Sequence, residues 1–428
     1  MRRLSVYIEI SGSSEYVGDI AGESYRDACF TYSREYMDRD HARPISLSLP
    51  FREDSFSPET THNFFEGLLP EGFSRRAVAR WLKSDENDYL TILAVLGLEC
   101  LGAIKIIEGN AGKDKCSYEK LTVSRVKDLA AEGASRSTQI LTETHLSLAG
   151  ATGKVGLYYD SANDEWYLPK GSAPSTHIVK QSHIRLSQIV LNEQLCMLAA
   201  KNMGLDVPDS FILNLGQGRD PEVLYAVKRY DRLLSGKNRI DGLPLPLRLH
   251  QEDFAQAMGL PSVDKYEREK SGYLKGMFDI IRAYCSDPIK DQLKLWKMIC
   301  FNYLIGNTDC HIKNYSLLYG DDLKGLSLAP LYDCLSTRVY NLTNEMSFFI
   351  GNEIDIRKAD RRSFAAASVE AGLSERMALS IFDQMSDGFE KALDDAAESL
   401  ANDGFDQAVV MKEKILIHGS SDSGPDQE

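Results

Sequence analysis

The segment Thr308-Asp309-Cys310-His311-Ile312-Lys313-Asn314 gathers a carboxylate and a carboxamide into one turn after the apolar stretch LKLWKMICFNYLIG. Polar residues this dense beside an apolar segment need a reason, because burying them unpaired costs several kcal/mol. Phosphoryl transfer supplies one. A carboxylate at Asp309 could orient an attacking hydroxyl, and the amide oxygen of Asn314, five positions on, could reach a magnesium ion. The spacing alone also fits a solvated turn that caps a helix. A second carboxylate, Asp333 in Leu331-Tyr332-Asp333, follows the strand-like Leu326–Leu328. Magnesium takes few protein oxygens and leaves its other sites to water and phosphates, so one Asp and one Asn suffice. The bland alternative for Asp333 is a turn after Pro330.

Three weaker features precede these in the chain. Ser147-Leu148-Ala149-Gly150-Ala151-Thr152-Gly153-Lys154 is a small-residue loop between two expected strands. Small side chains let backbone N–H groups approach phosphate oxygens, although such a loop is more often a plain hairpin turn. Lys180 ends the strand STHIVK, where a lysine could neutralise nucleotide phosphates or simply reach solvent. Glu193 on the next helix could pair with it, an exposed helix glutamate being the commoner case. Lys228, Arg229 and Tyr230 end the strand-rich half, where a hinge would offer backbone groups to adenine. In protein kinases, loop, strand lysine, helix glutamate, hinge, D-x-x-x-x-N and downstream Asp run in this order, and that order outweighs any single feature.

These groups need a scaffold, and 428 residues are too many for one core. Hydrophobic residues at 43% and charged residues at 26% are ordinary globular values. The net charge of -14 argues against a uniformly basic nucleic-acid surface. The eight cysteines form no C-x-x-C pair and read as free buried thiols in a reducing compartment. No run approaches ~18 consecutive apolar residues, so no membrane span is expected, and a cytoplasmic location follows.

RLSVYIEI alternates at period two and predicts a strand over 3–10, with VGDIAG and ACFTYS as its neighbours. Helical spacing takes over from Pro58 to about residue 98, and LGAIKIIE returns to strand. Residues 117–232 read as strand-rich with one helix over 186–204, and from about 233 the pattern becomes mostly helical. The expected fold is α+β and two-lobed: an N-terminal β/α subdomain over 1–108, a strand-rich lobe over 109–232, and a helical lobe over 233–418. Residues 419–428 are expected to be a disordered tail.

SLAGATGK, STHIVK, NEQLCMLAAKNMGLDVP, VKRYDR, RLHQEDFAQAMGLP, GNTDCHIKNYSLL and LAPLYDCLS together resemble the HipA family of toxin kinases. ARPISLSLPF with FFEGLLPEG resembles that family's N-terminal subdomain, so the resemblance spans about residues 3–418. It implies a protein-kinase-like fold and an ATP- and Mg2+-dependent serine/threonine kinase that phosphorylates a translation component, in known members an aminoacyl-tRNA synthetase. Growth arrest and persistence are implied, with restraint by a HipB-like helix-turn-helix antitoxin that binds operator DNA. Asp309 then matches the catalytic base, Asn314 and Asp333 the magnesium ligands, and Lys180 the phosphate lysine. Ala149, Gly150, Ala151, Thr152, Gly153 and Lys154 match the phosphate loop. Lys228, Arg229 and Tyr230 match the adenine hinge, while His311, Lys313 and Tyr332 match nucleotide-site positions. Ser147 matches an inhibitory autophosphorylation site, with Thr152 as the alternative. A phosphate there would add ~-1.5 to -2 charge beside a loop built for phosphates.

Two departures stand out. Thr152-Gly153 replaces a glutamine and an acid in the loop, and Lys228 stands where an acid is common. Two other functions fit the same residues. A small-molecule phosphotransferase would be favoured by an acidic pocket for a cationic substrate, and the net charge of -14 allows it. A non-catalytic co-repressor would act through an antitoxin and DNA, with Arg357, Lys358, Arg361 and Arg362 as a small basic patch for phosphates. Such a cluster is more often a solvated helix start.

Overall fold

The computed structural model describes residues 1–109, 116–132, 154–182 and 186–419. The chain divides into two compact units. The first comprises Met1–Ser187, Leu213–Val263 and Ser316–Leu326, and the second Gln188–Ile212, Asp264–Tyr315 and Ser327–Glu428.

In the first unit, strands β1 (Arg2–Ile10), β2 (Ser13–Gly22), β3 (Cys29–Tyr32) and β4 (Ile104–Glu108) form a sheet in the order β3-β2-β1-β4. Leu4, Val6 and Ile8 of β1 are fully buried, as the period-two pattern requires. Helices α1 (Pro58–Glu66), α2 (Gly72–Leu82) and α3 (Tyr89–Leu96) lie between β3 and β4 in sequence. Ser57 caps α1 by accepting from the Thr60 N–H, with Pro58 at the first helical position, and Asp88 caps α3 from Thr91.

A second sheet holds β5 (Ser117–Lys120), β6 (Lys154–Asp160), β7 (Glu165–Lys170), β8 (His177–Gln181), β9 (Ser210–Asn214) and β10 (Val223–Lys228). Its order is β5-β7-β6-β8-β10-β9. Helix α4 (Val123–Glu132) follows β5, within the stretch expected to be strands. Beyond residue 231 the expected helical pattern gives way to a hairpin, β11 (Arg232–Ile240) and β12 (Leu243–Arg248). Its turn is Asp241-Gly242, both at positive φ (51° and 81°), which suits the right-handed twist of the strands. Strand β13 (Gln251–Asp253) pairs with the distant β14 (Ser316–Tyr319), and the helix expected over QEDFAQAMG is a single turn, Phe254–Ala257.

Charged groups hold the interior of this unit. Glu99, 1% exposed, accepts from Arg229 (3.2 Å), Arg232 (2.8 Å) and Arg248 (2.7 and 2.9 Å). Asp231 binds Arg229 in a two-pronged pair and accepts the Gly102 N–H and the Gln251 amide. Glu9 pairs with Arg248 at 3.0 Å and with Lys105 at 3.8 Å. Burial would push the Glu99 carboxyl up, but the charges of Arg232, Arg248 and Arg229 outweigh it and hold it down at about 2. Burial, aided by Arg248, lowers the Lys105 amine to about 8.

The second unit is mainly helical. It contains α5 (Ile189–Asn202), α6 (Tyr273–Tyr284), α7 (Pro288–Leu304), α8 (Arg361–Glu370), α9 (Glu375–Asn402) and α10 (Gln407–Gly419). Asp287 caps α7 from Lys290, again with Pro at the first position. Trp296 of α7 is fully buried, meets Phe278 and Phe364 edge-on, and donates its indole N–H to the Ala378 carbonyl at 3.0 Å. A hairpin, β16 (Glu345–Ile350) with β17 (Glu353–Asp355), was not foreseen from the pattern; β15 (Leu326–Leu328) was. Among the described residues no helix is long and apolar enough to cross a membrane.

Candidate active site

Helix α7 ends at Ile305, and Gly306 turns the chain at φ 68° into the loop that carries Asp309. A Cβ at Gly306 would also press on the Arg338 side chain at 3.0 Å, so both backbone and space favour glycine there. The loop is fixed from within. Asn307 donates its side-chain amide to Asn302 Oδ1 (2.9 Å) and accepts the Asp309 N–H (3.1 Å). Asn314 donates its amide to the Asp309 carbonyl at 2.9 Å, which leaves its amide oxygen as the end suited to a cation.

The loop is also tied to the segment bearing Asp333. Tyr332 donates its hydroxyl to the Lys313 carbonyl at 2.8 Å. Thr337 accepts the Thr308 N–H at 2.7 Å, and Ser347 donates to the Thr308 carbonyl at 2.8 Å. Asn302 donates to the Tyr315 hydroxyl at 3.1 Å and accepts from the Cys334 thiol. Asn192 of α5 makes a two-way pair with the Ser336 backbone (2.8 and 3.0 Å). Burial pushes the Cys310 thiol up to about 12 and drives the Cys334 thiol and the Tyr315 phenol well above their ordinary values. Each therefore stays protonated.

Asp309 is exposed, while His311, Lys313 and Asn314 are buried around it. Asp333 sits at φ 53°, a left-handed conformation that a non-glycine residue adopts at a cost and that tends to mark functional loops. Glu193 is 4% exposed and so departs from the exposed helix glutamate of the commoner case. The reason is that α5 is buried over most of its circumference, from Val190 to Met197 and again at Ala199 and Ala200.

In the first unit Lys180 of β8 lies directly opposite Lys154 of β6 on one side and Tyr225 of β10 on the other. Its Nζ stands 5.6 Å from the centre of the Tyr225 ring. The row sets two ammonium groups on neighbouring strands, the kind of donor a nucleotide's phosphates take.

Of the hinge residues, Lys228 is exposed. Arg229 turns its guanidinium into the buried charge network and gives its N–H to the Thr176 carbonyl at 2.9 Å, so its side chain is committed elsewhere. Tyr230 donates its hydroxyl to Gln251. Ser147 and Ala149–Gly153, the expected modification site and phosphate loop, lie outside the described residues; Lys154 opens β6. Arg357 pairs with Asp355, and Arg361 with Asp383, at the start of α8, while Lys358 and Arg362 are exposed. Among the described residues no group of three or more His, Cys, Asp or Glu is placed to hold a metal by itself. Magnesium shared with a nucleotide needs fewer.

A strand-rich unit and a mainly helical unit, the first carrying Lys180 and the second the Asp309–Asn314 loop, make an α+β, protein-kinase-like class of fold. The comparisons agree. Residues 8–107 match the model of the HipA N-terminal domain, and residues 146–393 that of the HipA-like C-terminal domain. The putative kinase Y4mE of Sinorhizobium fredii is 32% identical over 401 residues, covering 89% of this chain and 90% of that protein. The serine/threonine-protein kinase toxin HipA of Shewanella oneidensis is 25% identical over 350 residues, covering 79% and 77%. The solved complex of the Shewanella oneidensis HipA and HipB with operator DNA contains a chain that superposes with a TM-score of 0.76. That match has 22% identity and covers 97% of this chain and 96% of the other. The chain belongs to the HipA family of kinases.

Proposed function

We propose that this chain is an ATP- and magnesium-dependent serine/threonine protein kinase, the toxin of a toxin–antitoxin pair. The observation that carries the reading is the Asp309–Asn314 loop, which presents an exposed carboxylate from a buried, hydrogen-bonded frame tied to the Asp333 segment. Asp309 orients the acceptor hydroxyl and takes up its proton. Asn314 and Asp333 offer oxygen ligands to magnesium, and Lys154 and Lys180 face the nucleotide phosphates. Magnesium, when bound, neutralises charge on the phosphates. The substrate is a translation component such as an aminoacyl-tRNA synthetase, and transfer to it arrests growth. Ser147, or Thr152, is the self-inhibitory phosphorylation site. A HipB-like helix-turn-helix antitoxin is the partner; in support, the structural relative was solved with HipB and operator DNA. Contact with operator DNA runs through that antitoxin or through the small basic patch of Arg357, Lys358, Arg361 and Arg362, in which Arg357 and Arg361 also pair with carboxylates.

Incubating the full chain and Asp309→Asn with γ-labelled ATP, magnesium and a bacterial lysate tests this. Labelled protein bands are expected from the wild type, falling by about 10²–10⁴-fold in the variant. Label only on small molecules would replace the protein acceptor with a metabolite. No label at all would leave a co-repressor.

A further inference from the structure

The Asp309 carboxylate already carries a hydroxyl. Tyr266 donates its phenol O–H to Asp309 Oδ1 at 2.5 Å, and its ring meets His311 edge-on at 5.2 Å. It is 39% exposed, in a loop whose flanking residue Glu267 is 5% exposed. Glu267 fixes that loop: it accepts from the Gly272 and Tyr273 N–H groups and from Phe349, and it gives its own N–H to Ser347. Ser347 also holds the Thr308 carbonyl, so the backbones on either side of the Tyr266–Asp309 contact are joined through one residue. The backbone is pinned, and the half-exposed phenol is the part that can turn at small cost in burial.

A phosphoryl acceptor must itself donate a hydroxyl to this carboxylate, within about 2.6–3.2 Å. We propose that Tyr266 is a gate on the acceptor site: its phenol stands on Asp309 where the acceptor's hydroxyl must stand, and an entering serine or threonine turns it aside. This rests on the kinase reading above. In the free enzyme the gate also denies water the same position, and so limits idle hydrolysis of ATP. Only the fraction of molecules with the phenol displaced binds acceptor productively, which raises the apparent KM.

The test uses the full chain with γ-labelled ATP, magnesium and a degenerate mixture of serine- and threonine-centred peptides, comparing wild type, Tyr266→Phe, Tyr266→Ala and Asp309→Asn. Phe keeps the ring and removes the hydroxyl, so folding is preserved even if Ala fails. Removing one hydrogen bond to a charged group should lower the acceptor KM by about ten-fold, with kcat little changed and phosphate release to water increased. A ten-fold fall in kcat at constant KM would overturn the gate and make Tyr266 a positioning residue for the base. Unchanged constants would overturn it too. Absence of transfer by the wild type would count against the kinase reading rather than the gate. The gate then stands or falls by ¹⁹F resonance of 3-fluorotyrosine at position 266. That signal should shift with serine-centred peptide and stay still with the alanine-centred control; no shift with either overturns the proposal.

Discussion

The two units solve the problem of buried polarity in opposite ways. Around Glu99 the first unit buries full charges, three guanidiniums on one carboxylate with Asp231, Glu9 and Lys105 beside them. Around Asp309 the second unit buries mainly amides, hydroxyls and protonated thiols, Asn302, Asn307, Thr308, Thr337 and Cys334, with Lys313 and Glu267 as buried charged groups among them. Charge buried far from chemistry can be strong and permanent. Near the reacting carboxylate the bonds under the loop run mostly between neutral groups, which are directional, with Lys313 and Glu267 as buried charged groups close by. The first arrangement fixes which segments meet; the second fixes how one side chain points.

Breaking the charged network should cost most. Glu99→Gln strips the balancing charge from Arg229, Arg232 and Arg248 and should destabilise the chain by ~3–5 kcal/mol in urea unfolding. A loss near zero would mean the network is internally redundant. A second buried carboxylate, Glu252, sharpens the contrast because among the described residues no cation is paired with it. It accepts from Ser46, Tyr319 and the Leu47 N–H, and burial pushes its carboxyl up to about 7. The signs differ between the two. Glu99 is held at about 2, so its contribution is complete above about 4.5 and is lost as pH falls through about 2. Glu252 contributes below about 4.5, and that contribution is lost as pH rises through about 7. Glu252→Gln should therefore abolish a decline of ~2–3 kcal/mol between pH ~4.5 and ~7. A variant with an unaltered pH slope would contradict this. Least costly to stability is Asn302→Ala, which unties Asn307 and Tyr315 for ~1–3 kcal/mol. Its transfer rate should fall further than that stability loss accounts for, since the loop under Asp309 loses its internal brace. If Asn302→Ala cost as much stability as Glu99→Gln, the distinction between the two frames would fail.

Legibility in the sequence followed distance along the chain. Strand β1 and helices α1 and α7 announce themselves by local period and caps, and the Asp309–Asn314 pair by a spacing of five. The Glu99 network draws on positions 130 and more apart, and Tyr266 meets Asp309 across 43, with no local signature in either case. Asp241-Gly242 was a readable hairpin signal that the helical expectation beyond 233 passed over. Helix α4 was masked by the strand-forming segments around it. The buried state of Glu193 could not be read from its own position, because it depends on what surrounds α5.

Glu99 finds its guanidinium partners at 229, 232 and 248, and β13 finds its partner strand only at 316–319. During synthesis, at ~5–20 residues per second, the N-terminal sheet must therefore wait many seconds with an unpaired acid in its interior. The closing strand emerges only after most of the chain has left the ribosome. A truncated product ending before residue 229 would carry that acid with no guanidinium to meet it, and should be handed to chaperones and proteases rather than persist as a partial enzyme.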